Sequence, residues 1–329
     1  MTGIAIIGGG AMARAHARAW SELALAENIR YVSTLTPGEP LAHAPRARFE
    51  SDLDRVLADP LVTIVSVCTP TATHPDLARR ALQAGKNVLL EKPIALTITE
   101  ALELRDEATK SPGVLMVAHV VRFFDGYRAM RESVDAGLLG TVVAARAGRF
   151  SPPPGPSKWW HDESKSGGVA VDFSIHDFDQ LNLFLGSPLR VTARQSRADG
   201  PLEATVDYAG GAVGQVIGSM GMPPGFTFSS TLELVGTAGH STHGHAGALD
   251  SGAKSAMPDT VRLQTAAGVT ERLVAPHNPY RNQAEYFLEC VRAGSPPEFC
   301  PVNAAVMALA VALAARESIR SGRPVDVEM

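Results

Sequence analysis

The chain has 329 residues, 45% hydrophobic and 19% charged, which is enough to bury two hydrophobic cores. Its formal net charge is −4 and it has no basic run, so nucleic acid and anionic membranes are poor partners. The three cysteines lack metal-binding spacing and no signal peptide is evident, so we expect reduced thiols and a cytoplasmic location.

The first predicted elements have the pattern of a dinucleotide-binding protein. Residues 4–7 form an apolar run typical of a buried parallel strand, and residues 12–24 favour a helix. Between them, Gly8, Gly10 and Ala13 match G-x-G-x-x-A, in which small residues allow a tight turn and the close approach of a pyrophosphate. The predicted cofactor contacts in this loop are Gly8, Gly10, Ala11 and Met12.

The second strand, predicted over 29–35, bears on the choice between NAD and NADP. An acidic residue about 20 residues after the glycine motif would bind the ribose of NAD. This chain has Ser33, Thr34 and Thr36 there instead, and we predict Ser33 and Thr34 as cofactor contacts. Arg46 and Arg48 could either reach a 2′-phosphate or remain surface charges. The predicted cofactor is therefore NAD or NADP.

Strands and helices continue to alternate as far as residue 120. This alternation predicts a doubly wound parallel sheet and a dinucleotide-binding domain over residues 1–120. The further predicted strands are 47–49, 62–68, 87–90 and 114–118, and the further predicted helices are 74–84 and 99–109.

Polar residues follow two of these strands, at the sheet edge where ligands bind in such folds. Thr69, Pro70 and His74 follow the strand at 62–68 and are predicted to contact the cofactor, although His74 could equally cap its helix. Glu91 and Lys92 follow the next strand. Glu91 is a further predicted cofactor contact, and Lys92 could hold a substrate oxygen during hydride transfer or simply close the strand as a surface lysine.

The pattern changes in the second predicted domain, residues 121–329. A helix at 127–136 and a strand at 141–150 precede a proline-rich loop, and later runs alternate apolar and polar residues. Such alternation predicts a large, mainly antiparallel sheet with one covered face. The alternating runs are 189–194, 204–208, 214–219 and 230–235. The alanine-rich apolar stretch at 304–315 is too short to span a bilayer and predicts a buried helix.

One helix predicted in this domain, over 167–185, carries Asp172, His176 and Asp179 at i, i+4 and i+7, so that all three would share a face. Burying acidic groups and a histidine on an otherwise apolar helix costs free energy, so this pattern predicts a functional site. The alternative is that this face of the helix is polar because it is exposed to solvent.

Other candidates carry a weaker signal. The predicted substrate contacts are Arg122, Trp160, Asp179 and Tyr280. Three histidines occur in a segment predicted as a Gly/Ser-rich turn, at 240, 243 and 245. A solvated loop is favoured there over a metal site, because no acid or cysteine completes a ligand set, and no metal is predicted.

Together these motifs resemble the glucose-fructose oxidoreductase / inositol dehydrogenase / rhizopine-catabolism (Gfo/Idh/MocA) family. The residues that carry the resemblance are Gly8, Gly10 and Ala13, Thr69-Pro70 with His74, Glu91-Lys92-Pro93, Gly167-Gly168 with Asp172 and His176, and the run 233–239. The resemblance implies a Rossmann domain followed by an α/β domain with an open sheet, and a homodimer or homotetramer formed through that sheet.

The resemblance also implies hydride transfer between a nicotinamide and a sugar, cyclitol or related hydroxy/oxo compound. Lys92 would hold the reacting oxygen, His176 would act as acid and base, and Asp172 would support it. The chain departs from the family pattern at Thr71, where asparagine is common, at Ser174, where glycine is common, and in lacking the acid after strand two. Alternatives are a reductase of another carbonyl or imine in secondary metabolism, and a non-catalytic NAD(P)-binding regulator.

Overall fold

The computed structural model describes residues 2–36, 38–153, 162–197, 200–247, 259–274 and 277–329. The chain forms two compact units. Unit 1 comprises Met1–Val120 and Asn278–Val306, and unit 2 comprises Val121–His277 and Met307–Met329. The sequence predicts one domain boundary, near residue 120. In the structure the chain also returns to unit 1 over residues 278–306 before it ends in unit 2.

Unit 1 is built on a six-stranded sheet. Its strands are β1 (Ile4–Ile7), β2 (Ile29–Ser33), β3 (Arg48–Glu50), β4 (Ile64–Val67), β5 (Asn87–Glu91) and β6 (Leu115–Ala118). The order is β3-β2-β1-β4-β5-β6 and every pairing is parallel. The residues of β1, β4 and β6 are all buried, as expected for strands covered on both faces. The predicted parallel doubly wound sheet is confirmed.

Helices connect these strands. They are α1 (Ala11–Glu22), α2 (Leu53–Ala58), α3 (His74–Gln83) and α4 (Ile98–Lys110). Side chains cap two of them, since Asp52 accepts hydrogen bonds at the start of α2 and Thr97 does so at the start of α4. Helix α1 begins differently, because Gly10 offers no side chain to its first N–H groups.

Unit 2 is built on a nine-stranded, mainly antiparallel sheet. Its strands are β7 (Val142–Phe150), β8 (Pro188–Gln195), β9 (Leu202–Tyr208), β10 (Val213–Ser219), β11 (Ser229–Gly236), β12 (Gly239–Ala246), β13 (Thr260–Thr265), β14 (Gly268–Leu273) and β15 (Val325–Asp326). The order is β14-β13-β12-β11-β7-β10-β9-β8-β15, with β7 and β10 parallel. Burial alternates along β8 and β9. The predicted open sheet is confirmed.

Two helices pack on this sheet. Helix α5 (Asp125–Asp135) lies against β12 and β13. The second was predicted as one helix over 167–185, but the structure has α6 (Glu163–Ser166), a π-helix (Val169–Phe173) and α7 (Ile175–Leu185). Gly167 and Gly168 have φ of +81° and +74° and separate α6 from the π-helix. The wider π turn changes the angular spacing between side chains that precede it and side chains that follow it. The three residues predicted to share a face differ in burial, since Asp179 is buried while Asp172 and His176 are half-exposed.

The three histidines near residue 240 lie on strand β12, so the prediction of a turn is wrong. The segment lacks the apolar alternation of a typical strand, and pairing with β11 and β13 on either side fixes its extended backbone. Acids partner two of the histidines: His240 lies 2.8 Å from Glu233, and His245 lies 2.8 Å from Asp259.

The C-terminal segment holds two more helices, α8 (Pro279–Ala293) and α9 (Val302–Ser321). Helix α8 packs against α1, which explains its place in unit 1. By length and composition alone α9 could cross a membrane, but 56% of its most apolar window is buried within the fold. The predicted buried helix is confirmed.

Candidate functional site

The glycine loop after β1 contains two glycines with different surroundings. Gly8 has φ of +111°, and a Cβ there would lie 2.4 Å from the Cys68 carbonyl oxygen. Its N–H donates to the Ser33 carbonyl at 2.8 Å. At Gly10, by contrast, a Cβ would meet no atom within 4 Å. Gly8 therefore serves the fold, while Gly10 keeps a space open beside the loop.

The start of α1 borders this open space. No side chain caps the helix and its first turn contains no acidic residue. Ala11 is exposed and Met12 is half-buried. The first N–H groups of a helix lack partners within the helix and carry its positive dipole end, which suits them to bind phosphate. These residues fit a dinucleotide pyrophosphate.

Ser33 and Thr34, at the end of β2, lie beside the same loop. Ser33 is buried. A Cβ on Gly9 would lie 3.2 Å from the Thr34 methyl group, and the Thr34 hydroxyl donates to the Thr36 carbonyl at 2.6 Å. The side chain at position 34 is therefore close to where the ribose of a dinucleotide would follow the pyrophosphate.

Lys92 shares one sheet edge with the glycine loop. Strands β1, β4 and β5 are parallel neighbours, so Gly8, Thr69 and Lys92 follow carboxyl ends that lie side by side. Lys92 is half-buried and its bond to Pro93 is cis. Thr69 is half-exposed and Pro70 is exposed, so both remain available to a ligand. The sequence-predicted residues of unit 1 thus converge on one edge.

Two other predicted cofactor contacts, Glu91 and His74, are buried. A Glu91 carboxylate oxygen lies 2.8 Å from Nε2 of His16, a residue that sequence reasoning missed. His74 lies with its two ring nitrogens 2.7 Å and 2.9 Å from the carbonyl oxygens of Pro93 and Thr69. The only sequence signal for His16 is its place on the buried face of α1.

In unit 2, Asp172 lies on the π-helix and His176 in the first turn of α7. The next residue, Asp177, is completely buried and accepts three hydrogen bonds from Arg149 at 2.9–3.1 Å. This charge-assisted pairing anchors the start of α7 to strand β7. It thereby fixes the part of the helix that carries His176.

Ser174, one of the departures from the family pattern, faces Gly218 on strand β10. A Cβ on Gly218 would lie 2.5 Å from the Ser174 hydroxyl oxygen. The absence of a side chain at position 218 therefore makes room for serine at this position.

Arg122 and Asp179, both predicted to bind substrate, are paired with each other. Their bidentate hydrogen bonds are 2.7 Å and 2.6 Å long. Their side chains are only 3% and 1% exposed. A buried pair of this kind holds α7 to the segment after β6, and this geometry favours a structural role.

Replacing Asp179 with alanine is expected to lower the free energy of unfolding by about 3–5 kcal/mol, because it removes the carboxylate that pairs with the buried Arg122 guanidinium. Urea unfolding followed by circular dichroism measures this. The double variant Arg122→Met/Asp179→Leu should recover much of the loss. A single variant as stable as wild type that has lost substrate affinity would instead support the substrate-contact prediction.

The remaining candidates fall elsewhere. Tyr280 lies in the first turn of α8 in unit 1 and is 9% exposed. Trp160 lies outside the described residues. Within the described ranges, no group of three or more His, Cys, Asp or Glu side chains is arranged to hold a metal ion.

Comparison with known proteins identifies the family. Residues 2–119 match the model of an oxidoreductase family with an NAD-binding Rossmann fold, and residues 127–242 match the GFO/IDH/MocA C-terminal domain. The chain belongs to the Gfo/Idh/MocA family. Both halves of this Gfo/Idh/MocA protein match in the expected order, so the predictions of an oxidoreductase and of a nicotinamide cofactor are confirmed.

Several relatives of this Gfo/Idh/MocA protein have assigned activities. It is 28% identical over 301 residues to scyllo-inositol 2-dehydrogenase (NAD(+)) of Bacillus subtilis, covering 86% of this chain and 82% of the relative. It is 27% identical to inositol 2-dehydrogenase of Rhizobium meliloti, covering 98% of both chains. The crystal structure of GenD2 from gentamicin A biosynthesis in complex with NAD has a TM-score of 0.82 and 26% identity, covering 100% of this chain and 97% of that one.

Proposed function

We propose that this enzyme transfers a hydride between a nicotinamide dinucleotide and a sugar, cyclitol or related hydroxy/oxo compound. The observation that carries the proposal is the position of Lys92 at the same strand edge as the open space beside Gly10. The start of α1 would bind the pyrophosphate of the cofactor, so the Lys92 cation is not needed there. A cation at this edge instead suits the reacting oxygen of a substrate. Relatives that act on inositols support this substrate class.

The proposed chemistry uses three side chains, Lys92, His176 and Asp172. When bound, the nicotinamide supplies the hydride acceptor or donor. In the oxidation direction a neutral His176 imidazole takes the hydroxyl proton, and the Lys92 ammonium stabilises the developing alkoxide. Asp172 supports the imidazolium that forms, since a carboxylate near a histidine favours its charged state. Reduction uses the same groups in reverse.

The test is a substrate panel. Purified protein is incubated with NAD or NADP and with inositols, hexoses and anhydrosugars, and reduced-nicotinamide absorbance is followed. Turnover of at least one polyol is expected. Binding of dinucleotide without turnover of any panel member, in either direction, would contradict the substrate assignment. The alternative function is a reductase of another carbonyl or imine in secondary metabolism, and the likeness to GenD2 supports including it in the test. Aminoglycoside precursors are therefore added to the panel.

We further expect little discrimination between NADH and NADPH, less than about tenfold, because no acid stands at position 33 or 34 to bind the ribose or repel a 2′-phosphate. Thr34→Asp should favour NADH by adding that carboxylate. Calorimetric titration of wild type and variant with both cofactors measures the change, and Thr270→Asp on the exposed strand β14 is the control for the added charge. A strong preference of the wild type for NADH would show that another group performs the acid's role.

We also propose a homodimer or homotetramer that assembles through the open sheet of unit 2. Exposed apolar side chains on its strands, Val143, Val213 and Val235, support this. Light scattering with size-exclusion chromatography tests it, and a monomer at micromolar concentration contradicts it. The cytoplasmic location remains a prediction.

A further inference from the structure

Two buried histidines border the segment that carries Lys92. His16 comes from α1 and contacts Glu91, the residue before the lysine. His74 comes from α3 and contacts the carbonyl of Pro93, the residue after it. All of these groups belong to unit 1. The backbone on each side of Lys92 is therefore tied to a different helix.

The first tie is an ion pair. His16 is 2% exposed and Glu91 is 4% exposed. Burial disfavours the imidazolium, but contact with Cys68 and with the Glu91 carboxylate raises the pKa of His16. A buried carboxylate needs such a partner, and the charge-assisted bond is short. It joins the end of β5 to α1, the helix whose first turn suits a pyrophosphate.

The second tie is a hydrogen bond from α3 to the strand end after β5. His74, which is 1% exposed, lies between the Pro93 carbonyl after β5 and the Thr69 carbonyl after β4. Burial lowers the pKa of His74, so the ring is neutral and has one N–H to donate. We assign that proton to Nδ1, because the Pro93 distance of 2.7 Å is the shorter of the two.

We propose that His16 and His74 are positioning residues for Lys92: they fix the backbone on both sides of it, so that its ammonium group keeps one placement beside the cofactor loop. This rests on the proposed function, in which Lys92 holds the reacting oxygen. Neither histidine touches a reacting atom. Their importance follows because a displacement of about 1 Å at a reacting centre can cost about 10²-fold in rate.

The two ring nitrogens give the proposal a distinctive test. The glutamine amide nitrogen falls near the position of histidine Nε2, and the asparagine amide nitrogen falls near that of Nδ1. His16 contacts Glu91 through Nε2, whereas His74 contacts Pro93 through Nδ1. His16→Gln and His74→Asn should therefore keep the hydrogen bond, although His16→Gln removes the charge of His16, while His16→Asn and His74→Gln should lose it.

The expected result is a crossed pattern in kcat. His16→Asn and His74→Gln should each lose about 10–100-fold in kcat, with NADH affinity within about threefold of wild type. His16→Gln and His74→Asn should stay within about fivefold in kcat. A primary deuterium isotope effect from labelled nicotinamide should increase in the impaired pair, because hydride transfer then limits turnover.

Trp20→Phe is the matched control. Trp20 lies one turn beyond His16 on α1 and donates to the Ser66 hydroxyl at 3.1 Å in a buried bond to strand β4. Its loss should lower the melting temperature without reducing kcat. If the histidines had only a structural role, kcat would fall in proportion to the loss in melting temperature across the four histidine variants and Trp20→Phe. That outcome would overturn the proposal.

A second measurement works without a substrate. Reductive methylation with ¹³C-formaldehyde labels the accessible lysines, and the signal of Lys92 is assigned by its loss in Lys92→Ala. The signal should move toward those of exposed lysines in His16→Asn and His74→Gln but not in their partner variants. If it stays in place in all variants, the positioning role fails. If it moves as expected while Lys92→Ala keeps full turnover, the proposed function fails and the positioning role stands.

Discussion

Replacing Lys92 with alanine is expected to reduce turnover by about 10²–10⁴-fold while leaving NADH affinity close to that of wild type. His176→Ala should do the same. Both residues are half-buried, and neither belongs to the glycine loop or to the start of α1. Single-turnover rates and calorimetric titration with NADH separate the chemical step from cofactor binding.

Matched controls come from the same residue types. Lys110→Ala removes an exposed lysine at the end of α4, and His240→Ala removes a half-exposed histidine on β12 that pairs with Glu233. Both should keep wild-type rates. A Lys92 or His176 variant within about tenfold of wild type would remove that residue from the proposed proton and oxygen chemistry.

Gly10→Val is expected to weaken NADH binding by about 100-fold or more without lowering the melting temperature. A Cβ at this position would meet no atom within 4 Å, so we expect the fold to accept the substitution. The new side chain would occupy the space through which a pyrophosphate approaches the start of α1, and the loss of two charge-assisted N–H···phosphate bonds has roughly that effect. Calorimetry with NADH, alongside thermal unfolding, measures both quantities.

Gly8→Ala should behave in the opposite way and destabilise the fold itself. The left-handed φ of +111° disfavours alanine by about 1–2 kcal/mol, and the added Cβ would press against the Cys68 carbonyl. A Gly10→Val protein that binds NADH normally would contradict the position assigned to the pyrophosphate. A stable Gly8→Ala protein would contradict the packing described for the loop.

The glycine motif and the elements around it could be predicted because the signals are local. Gly8 and Gly10 lie between an apolar run and a helix-forming run, and the hydrophobic period of each segment specifies its type. The same local reasoning failed at 167–185, where the i, i+4, i+7 spacing assumed an uninterrupted α-helix. The π turn at Val169–Phe173 altered that spacing.

The sequence by itself determined the family, the order of the two sheets and the residues at the parallel sheet's carboxyl edge, because apolar periodicity and glycine positions act over a few neighbours. Only the tertiary structure decided how the charged and polar side chains pair. His16 meets Glu91 across 75 positions in the chain, and Arg122 meets Asp179 across 57. Such partners depend on which elements pack together, and burial then makes each pairing necessary, since an isolated charge in the interior costs several kcal/mol.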